Sequence, residues 1–332
     1  MHTSRQLRPE NLFVGVGSDE AIDALMRCFC HPGKERILTS PPTYGMYSVS
    51  AQVNDVGIVK VPLDVEHGFE LQPAQINETL TKDATIKMVY ICSPGNPSAK
   101  VIRKEDIERI LRHPTWNGVV VVDEAYIDFA PRGASLAQWA TEWPNLVVMQ
   151  TLSKAFGLAG IRLGVAFTSA PIARLLNSLK APYNISSPTS ALAQMALSPA
   201  NLAVMYRYRE RILRQRDRLV AELPRIPGVG RFLGGFDANF LLVEIVDAAG
   251  KPSNVTALAT YEAMAGKRGV VVRFRGKELG CVGCLRITVG TEPEVTKFLD
   301  ELRMVLGALH SGIDIPNAKA EEERETEASK VQ

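Results

Sequence analysis

The sequence predicts an α/β protein with a largely parallel sheet covered by helices on both faces, followed by a smaller C-terminal α/β domain. Three observations lead there. Short apolar runs alternate with helical stretches over residues 11–167, the pattern of strands joined by right-handed helical crossovers. The runs at 86–92, 119–122 and 147–150 are almost continuously apolar rather than alternating, as strands buried on both faces must be. A cluster of Pro182, Ser186, Ser187 and Pro188 then breaks the pattern and marks a connection.

In chain order, residues 11–16 read as a strand, 19–30 as a helix, 36–40 as a strand and 43–54 as a helix. Buried-strand runs follow at 58–61, 86–92, 119–122, 147–150 and 163–167. The domain boundary is placed at 182/183, so that residues 1–182 form the large domain and 183–311 the small one. The small domain is expected to hold a long helix over 201–223, strands near 239–245, 270–274 and 285–289, and a helix over 294–309. The acidic segment 312–332, with Glu321, Glu322, Glu323, Glu325 and Glu327, has little to bury and is expected to be a disordered tail.

Composition removes several classes of function. The 332 residues carry 38 Lys and Arg against 36 Asp and Glu, a net charge of +2, which gives no reason to expect a nucleic acid or an anionic membrane as partner. Arg207, Arg209, Arg211, Arg214, Arg216 and Arg218 form a stripe, but Glu210 and Asp217 interrupt it, and a solvated helix face is the favoured reading. No apolar run is long enough to cross a bilayer and residues 1–8 carry no hydrophobic signal segment, so a cytoplasmic location is expected. Five cysteines, an odd count, argue against a disulfide framework. Cys281 and Cys284 make one CxxC pair without a second pair or spaced histidines, so no metal site is expected.

Chemistry concentrates just after the strands, where parallel sheets place it. The segment TLSKAFGLAGIRLG, residues 151–164, sets Lys154 among small and apolar neighbours. Burial disfavours the ammonium form, and a partly neutral lysine is what a Schiff base with an aldehyde cofactor requires. Arg162, with the hydroxyls of Thr151 and Ser153, could hold an anion nearby; a surface lysine paired with an acid is the plainer alternative. The run VVVVD ends in Asp123, placed to keep a pyridine nitrogen protonated. A Walker-B aspartate is the rival, and it fails because the chain has no GxxxxGK[ST] loop.

In VGVGSDE, residues 14–20, a strand turns into a helix whose first N–H groups could bind phosphate. Glu20 replaces the third glycine of a dinucleotide fingerprint, and Ser18 as a simple helix cap with Asp19 and Glu20 complementing the dipole needs no ligand. Tyr44 in PPTYGMY could lie on an aromatic ring, and Asn96 in SPGNP is held rigidly enough to bond a phenolic oxygen. Arg286 and Arg273 sit on otherwise apolar strands, where a carboxylate or phosphate guest, or a buried protein carboxylate, would pair them.

Together and in this order, GSDEAID, PPTYGMYSVSA, CSPGNPS, VVDEAY, TLSKAFGLAGIRLG and CLRITVG resemble the type I fold of pyridoxal 5′-phosphate enzymes, and within it the histidinol-phosphate aminotransferases. The likeness runs from about residue 11 to 309. It implies a type I PLP-dependent transferase fold and a homodimer. It implies Lys154 as the Schiff-base lysine, Asp123 as partner of the pyridine nitrogen, and Asn96 and Tyr126 at the phenolic oxygen. Tyr44 would stack on the ring, while Ser18, Asp19, Ser153 and Arg162 would surround the phosphate. Arg273 and Arg286, with Asn96, would receive substrate. The implied reaction converts histidinol phosphate and 2-oxoglutarate into imidazole acetol phosphate and glutamate, in histidine biosynthesis.

Two departures from that family stand out. Its members begin with an arm that this sequence is read as lacking, so an inactive chain retaining the fold is one alternative; a related aromatic amino acid aminotransferase is the other, against which Arg273 speaks. Ser98-Ala99 stands where Thr-Gly is usual, a change expected to be tolerated.

Overall fold

The computed structural model describes residues 7–313. Seven strands make the first sheet: β1 (Leu12–Val16), β2 (Arg36–Thr39), β3 (Gly57–Lys60), β4 (Ile86–Cys92), β5 (Val119–Asp123), β6 (Leu146–Thr151) and β7 (Leu163–Thr168). Their spatial order is β1-β7-β6-β5-β4-β2-β3. The pairs from β6 through β3 are all parallel, and β7 alone runs antiparallel to both its neighbours. The mostly parallel sheet read from the sequence is therefore the one found.

Double-sided burial explains why these strands were legible. Ile37, Met88, Tyr90, Val121, Val147 and Met149 form one core with α1 (Gly17–Phe29), α2 (Met46–Val53) and, further along the chain, residues Ile172 and Leu176 of a helix at Ala170–Leu179. Their alternates Val89, Ile91, Val120, Val122 and Val148 are at most 2 % exposed, so the opposite face is covered as well. The sequence pattern does not single out helices α3 (Pro73–Lys82), α4 (Lys104–Leu111), α5 (Ala170–Leu179) and α6 (Ser187–Ala196). Each spans only eight to ten residues, too few turns for a firm periodic signal.

The chain divides into two compact units, residues up to 209 together with 236–238, and residues 210–235 with 239 onward. The division thus falls inside α7 (Pro199–Glu222) rather than at the expected 182/183. The proline and serine cluster marks a loop before α6, and packing, not loop composition, decides where a domain ends. Met205 is buried in the first unit, and the Arg209 guanidinium donates hydrogen bonds to the carbonyls of Asp128 and, at 3.2 Å, Ala130. The arginine stripe is consequently not a uniformly solvated face: Arg209 ties a helix to the loop after β5.

In the second unit β8 (Val229–Leu233), β9 (Phe240–Ile245), β10 (Arg273–Phe274) and β11 (Cys284–Thr288) form an antiparallel sheet in the order β10-β11-β9-β8. The strand expected over 270–274 shrinks to two residues. Against the sheet lie α8 (Asn254–Lys267) and α9 (Glu292–Ser311). In α9 the buried residues Val295, Phe298, Leu299, Leu302, Val305 and Leu306 repeat at helical spacing. Thr291 and Glu294 close its start as a capping box, and Gly312 ends it at φ +66°.

Cys281 and Cys284 are buried, each with its thiol directed to a backbone carbonyl. Among the described residues no group of three or more His, Cys, Asp and Glu could hold a metal, and no helix is long and apolar enough to cross a membrane. The expected acidic tail, beyond Ile313, lies outside the described residues.

Candidate active site

One cavity of about 170 Å³ in the first unit is lined by Ser18, Asp19, Tyr44, Asn96, Asp123, Tyr126, Ser153, Lys154 and Arg162, nine residues singled out from sequence. Cys92, Ala125, Thr151 and Ala159 complete the wall. The strand order explains the convergence. β4, β5 and β6 are adjacent and parallel, so the segments leaving their carboxyl ends, which carry Asn96, Asp123, Tyr126, Ser153 and Lys154, open on the same side.

Asp123 is the last residue of β5, paired across from Cys92, and is 2 % exposed. Its Oδ2 accepts a hydrogen bond from the Tyr47 hydroxyl at 2.8 Å and its Oδ1 from the Ala125 N–H at 3.1 Å. Burial pushes the carboxyl pKa up to about 6, against the opposing pull of those two donors; the Asp19 charge raises it and the Lys154 charge lowers it. The next residue, Glu124, is equally buried and accepts hydrogen bonds from Ser135, Gln150 and the Leu136 N–H at 2.6–2.8 Å. Those bonds fix the turn that carries Asp123 and Tyr126.

Tyr47 lies within the PPTYGMY motif, and the sequence alone does not mark it as a site residue. It is fully buried in α2, stacked on Tyr90 at 4.8 Å and meeting the Tyr44 ring edge-on at 5.6 Å. A tyrosine hydroxyl buried without an obvious local partner was the available signal, because such a group must find one.

The other end of the cavity is a cup. Ser18 and Asp19 lie in the first turn of α1, and Ser18 is its second residue; the N-cap is Val16, with no side-chain cap. Ser18 is therefore not the helix cap of the plainer reading. Two glycines shape the cup. A Cβ on Gly17, which sits at φ +71°, would lie 2.5 Å from Arg162 Nη2, and one on Gly164 would lie 2.4 Å from the Ser18 nitrogen. A side chain at Gly17 would fill the space between helix start and arginine, and one at Gly164 would collide with the backbone of the helix start. Arg162, itself at φ +52°, accepts the Gly17 N–H at 3.1 Å and holds Nη2 3.6 Å from Asp19. Tyr44 donates to the same Asp19 carboxylate at 3.3 Å; burial, with the Asp19 and Asp123 charges, raises its pKa.

Lys154 departs from expectation. It is exposed within its own chain, on the turn that follows β6, rather than withdrawn among apolar neighbours. The turn is closed by bonds from Leu152 N–H to the Leu163 carbonyl and from Gly157 N–H to the Lys154 carbonyl. Its Nζ stands 5.4 Å from the centre of the Tyr126 ring, at the cavity wall. Cavity geometry and the nearby Asp123 charge, not burial, define its surroundings.

Arg273 and Arg286 belong to the second unit, where they face each other across β10 and β11 as register partners. Like charges directly opposite on a sheet are destabilising, and on the Arg286 side the Glu278 carboxylate, whose pKa the Arg286 charge lowers, offsets part of that repulsion. The Arg286 guanidinium also lies 4.8 Å over the Phe240 ring.

Ala99, in the loop after Asn96, is completely buried at φ +53°, and its carbonyl accepts the Asp237 N–H at 2.8 Å. Ala99→Gly would relieve about 1–2 kcal/mol of left-handed strain but lose a buried methyl and add unfolded-chain entropy of comparable size. The change is expected to be neutral within about 1 kcal/mol, whereas Ala99→Val should destabilise by about 3 kcal/mol through strain and overpacking. Urea unfolding of the two variants checks both.

The sequence profile of the family Aminotransferase class I and II matches residues 2–302. The histidinol-phosphate aminotransferase of Schizosaccharomyces pombe is 56% identical over 305 residues, covering 91% of this chain and 79% of that protein. That of Saccharomyces cerevisiae is 48% identical, with 91% and 77% covered. Among solved structures, the histidinol-phosphate aminotransferase of Sinorhizobium meliloti in complex with pyridoxal-5′-phosphate superposes with a TM-score of 0.80 over 91% of this chain and 78% of that one, at 22% identity. The Clostridium acetobutylicum enzyme does so at 0.77 over 90% and 84%, at 24% identity. At such identities the structures speak for the type I fold alone, and the sequence relatives carry the rest. The chain belongs to the aminotransferase class I and II family and, within it, to the histidinol-phosphate aminotransferases.

Proposed function

We propose that the protein is a pyridoxal 5′-phosphate-dependent transaminase that converts L-histidinol phosphate and 2-oxoglutarate into imidazole acetol phosphate and L-glutamate, in histidine biosynthesis. The observation that carries this reading is the joint presence of Lys154, Asp123 and the helix-start cup at one cavity of a chain 56% identical to a histidinol-phosphate aminotransferase. The residues present fit the cofactor. A buried, oriented carboxylate lies in the same cavity as a cup that a single Cβ would fill.

Bound there, the cofactor supplies an aldehyde that links reversibly to amines and a ring that accepts the electron pair left on substrate carbon. Asp123 holds the proton on the ring nitrogen. Asn96 and Tyr126 would bond the phenolic oxygen, Tyr44 would cover the ring, and Ser18, Asp19, Ser153 and Arg162 would hold the phosphate, the first two through backbone N–H groups. Lys154 would hold the aldehyde between turnovers and, when free, would take the proton from the substrate Cα as general base and deliver it to the cofactor's aldehyde carbon rather than back to Cα. Arg273 and Arg286 are assigned to the substrates' anionic ends, since guanidinium pairs with phosphate and carboxylate alike. We assign the protein to the cytoplasm as a homodimer.

Purified protein given the cofactor is expected to turn yellow and to lose the band on borohydride reduction. It should prefer histidinol phosphate to phenylalanine by about 100-fold or more in kcat/KM, the worth of roughly 3 kcal/mol of charge-assisted bonds. A preference for phenylalanine would remove the substrate assignment in favour of the aromatic alternative.

A further inference from the structure

We infer that Tyr47 is a positioning residue for the cofactor's ring nitrogen: its buried hydroxyl donates to Asp123 and keeps that carboxylate ionised and aimed into the cavity. This rests on the proposed cofactor chemistry and deepens it.

The geometry is specific. Tyr47 is 0 % exposed and its Oη lies 2.8 Å from Asp123 Oδ2. With the Ala125 N–H on Oδ1, each carboxylate oxygen has a donor from a different element, one from α2 and one from the turn after β5. The carboxylate plane is thereby fixed in two directions. The phenol is fixed in turn. Its ring stacks on Tyr90 with planes 26° apart, and the Tyr90 hydroxyl donates to the Ile22 carbonyl of α1 at 3.1 Å. On its other side the ring meets Tyr44, a cavity residue, edge-on. A chain of three tyrosines therefore runs from α1 through Tyr47 to the cavity wall, with Asp123 as the one carboxylate bonded to its central member.

Electrostatics gives this contact its consequence. A completely buried carboxylate favours protonation, and a protonated Asp123 could not keep a pyridine nitrogen cationic. A hydroxyl donating to the ionised form opposes that tendency. Burial and the Asp123 charge raise the pKa of Tyr47 itself, so it stays a neutral phenol and remains a donor throughout the working range. The groups facing Asp123 are Tyr47, Ala125 N–H, Cys92, Tyr44, Tyr90, Asp19 and Lys154; Asp19 pushes toward protonation and Lys154 away from it, while the two further tyrosines, their own pKa values raised, stay neutral. Among the hydrogen-bonding side chains, Tyr47 is the one whose removal by a single-atom substitution leaves ring packing in place.

The test compares wild type and Tyr47→Phe loaded with pyridoxal phosphate carrying a ¹⁵N ring label. The ¹⁵N chemical shift reads protonation of the ring nitrogen, and equilibrium dialysis across pH 5–8 reads cofactor affinity. Wild type is expected to show a protonated nitrogen at neutral pH. In Tyr47→Phe the acid limb of cofactor binding should move up by about one pH unit, a weakening of about fivefold at the wild-type midpoint that approaches tenfold below it, with the nitrogen shift moving toward the unprotonated value. Unchanged shift and affinity, within twofold, overturn the inference. If Tyr47→Phe does not fold, difluorotyrosine at position 47, a stronger donor of nearly the same shape, should move the acid limb down; no movement overturns the inference equally. Failure of wild type itself to take up the cofactor would instead overturn the proposed function.

Discussion

Lys154→Ala is expected to lower the rate of transamination by about four orders of magnitude, roughly 5.5 kcal/mol, the combined loss of covalent attachment and of the general base. Cofactor should still associate through the cup formed by the start of α1 and Arg162, but borohydride should no longer fix it to the protein. Folding stability should change by no more than about 0.5 kcal/mol, because the residue is exposed in its own chain. Lys154→Arg separates the two parts of the claim. It preserves the positive charge near Asp123, yet a guanidinium stays protonated and cannot act as base or amine nucleophile, so it should be as inactive as alanine. Single-turnover kinetics with borohydride trapping checks this; an alanine variant within tenfold of wild type would remove Lys154 from the chemistry.

That prediction draws on a residue whose place in sequence was readable and whose environment was not. Lys154, Asp123 and Asn96 follow apolar runs, and a buried parallel strand announces its own carboxyl end, so the convergence of these residues could be inferred one strand at a time. Environment is a different kind of fact. Whether a turn presents its lysine to solvent is a property of the folded chain, and no letter pattern states that. Tyr47 was missed for a related reason: its partner is 76 positions away, and only β-sheet order brings them together. Arg209 looked like one member of a solvated stripe because its carbonyl partners lie about 80 residues upstream. The domain boundary slipped for the same reason, since a proline-rich loop is visible in sequence whereas the packing of α6 and the first half of α7 with the preceding residues is not.

Asp123→Asn should show stability and function moving in opposite directions. In the folded apoprotein burial holds the carboxyl at about 6, against about 3.9 in the unfolded chain. Folding therefore favours the protonated form. The carboxyl's contribution to stability is fully present below about pH 4 and is lost as pH rises through 6, a loss of roughly 3 kcal/mol by pH 7.5. Asparagine, a neutral isostere whose oxygen and amide can still meet Ala125 N–H and the Tyr47 hydroxyl, carries no such loss. Urea unfolding of the cofactor-free proteins should show the variant more stable than wild type by about 1–3 kcal/mol at pH 7.5, with the difference vanishing near pH 4. With cofactor the order reverses, because a neutral amide cannot hold the ring nitrogen cationic and kcat should fall about 10³-fold, near 4 kcal/mol. An apoprotein difference that does not vary with pH would mean that Asp123 is not the buried titrating group described here. A variant both more stable and fully active would mean that the ring nitrogen needs no carboxylate. The expected result places Asp123 among sites where a fold tolerates a costly buried charge because the bound ring supplies its counterion.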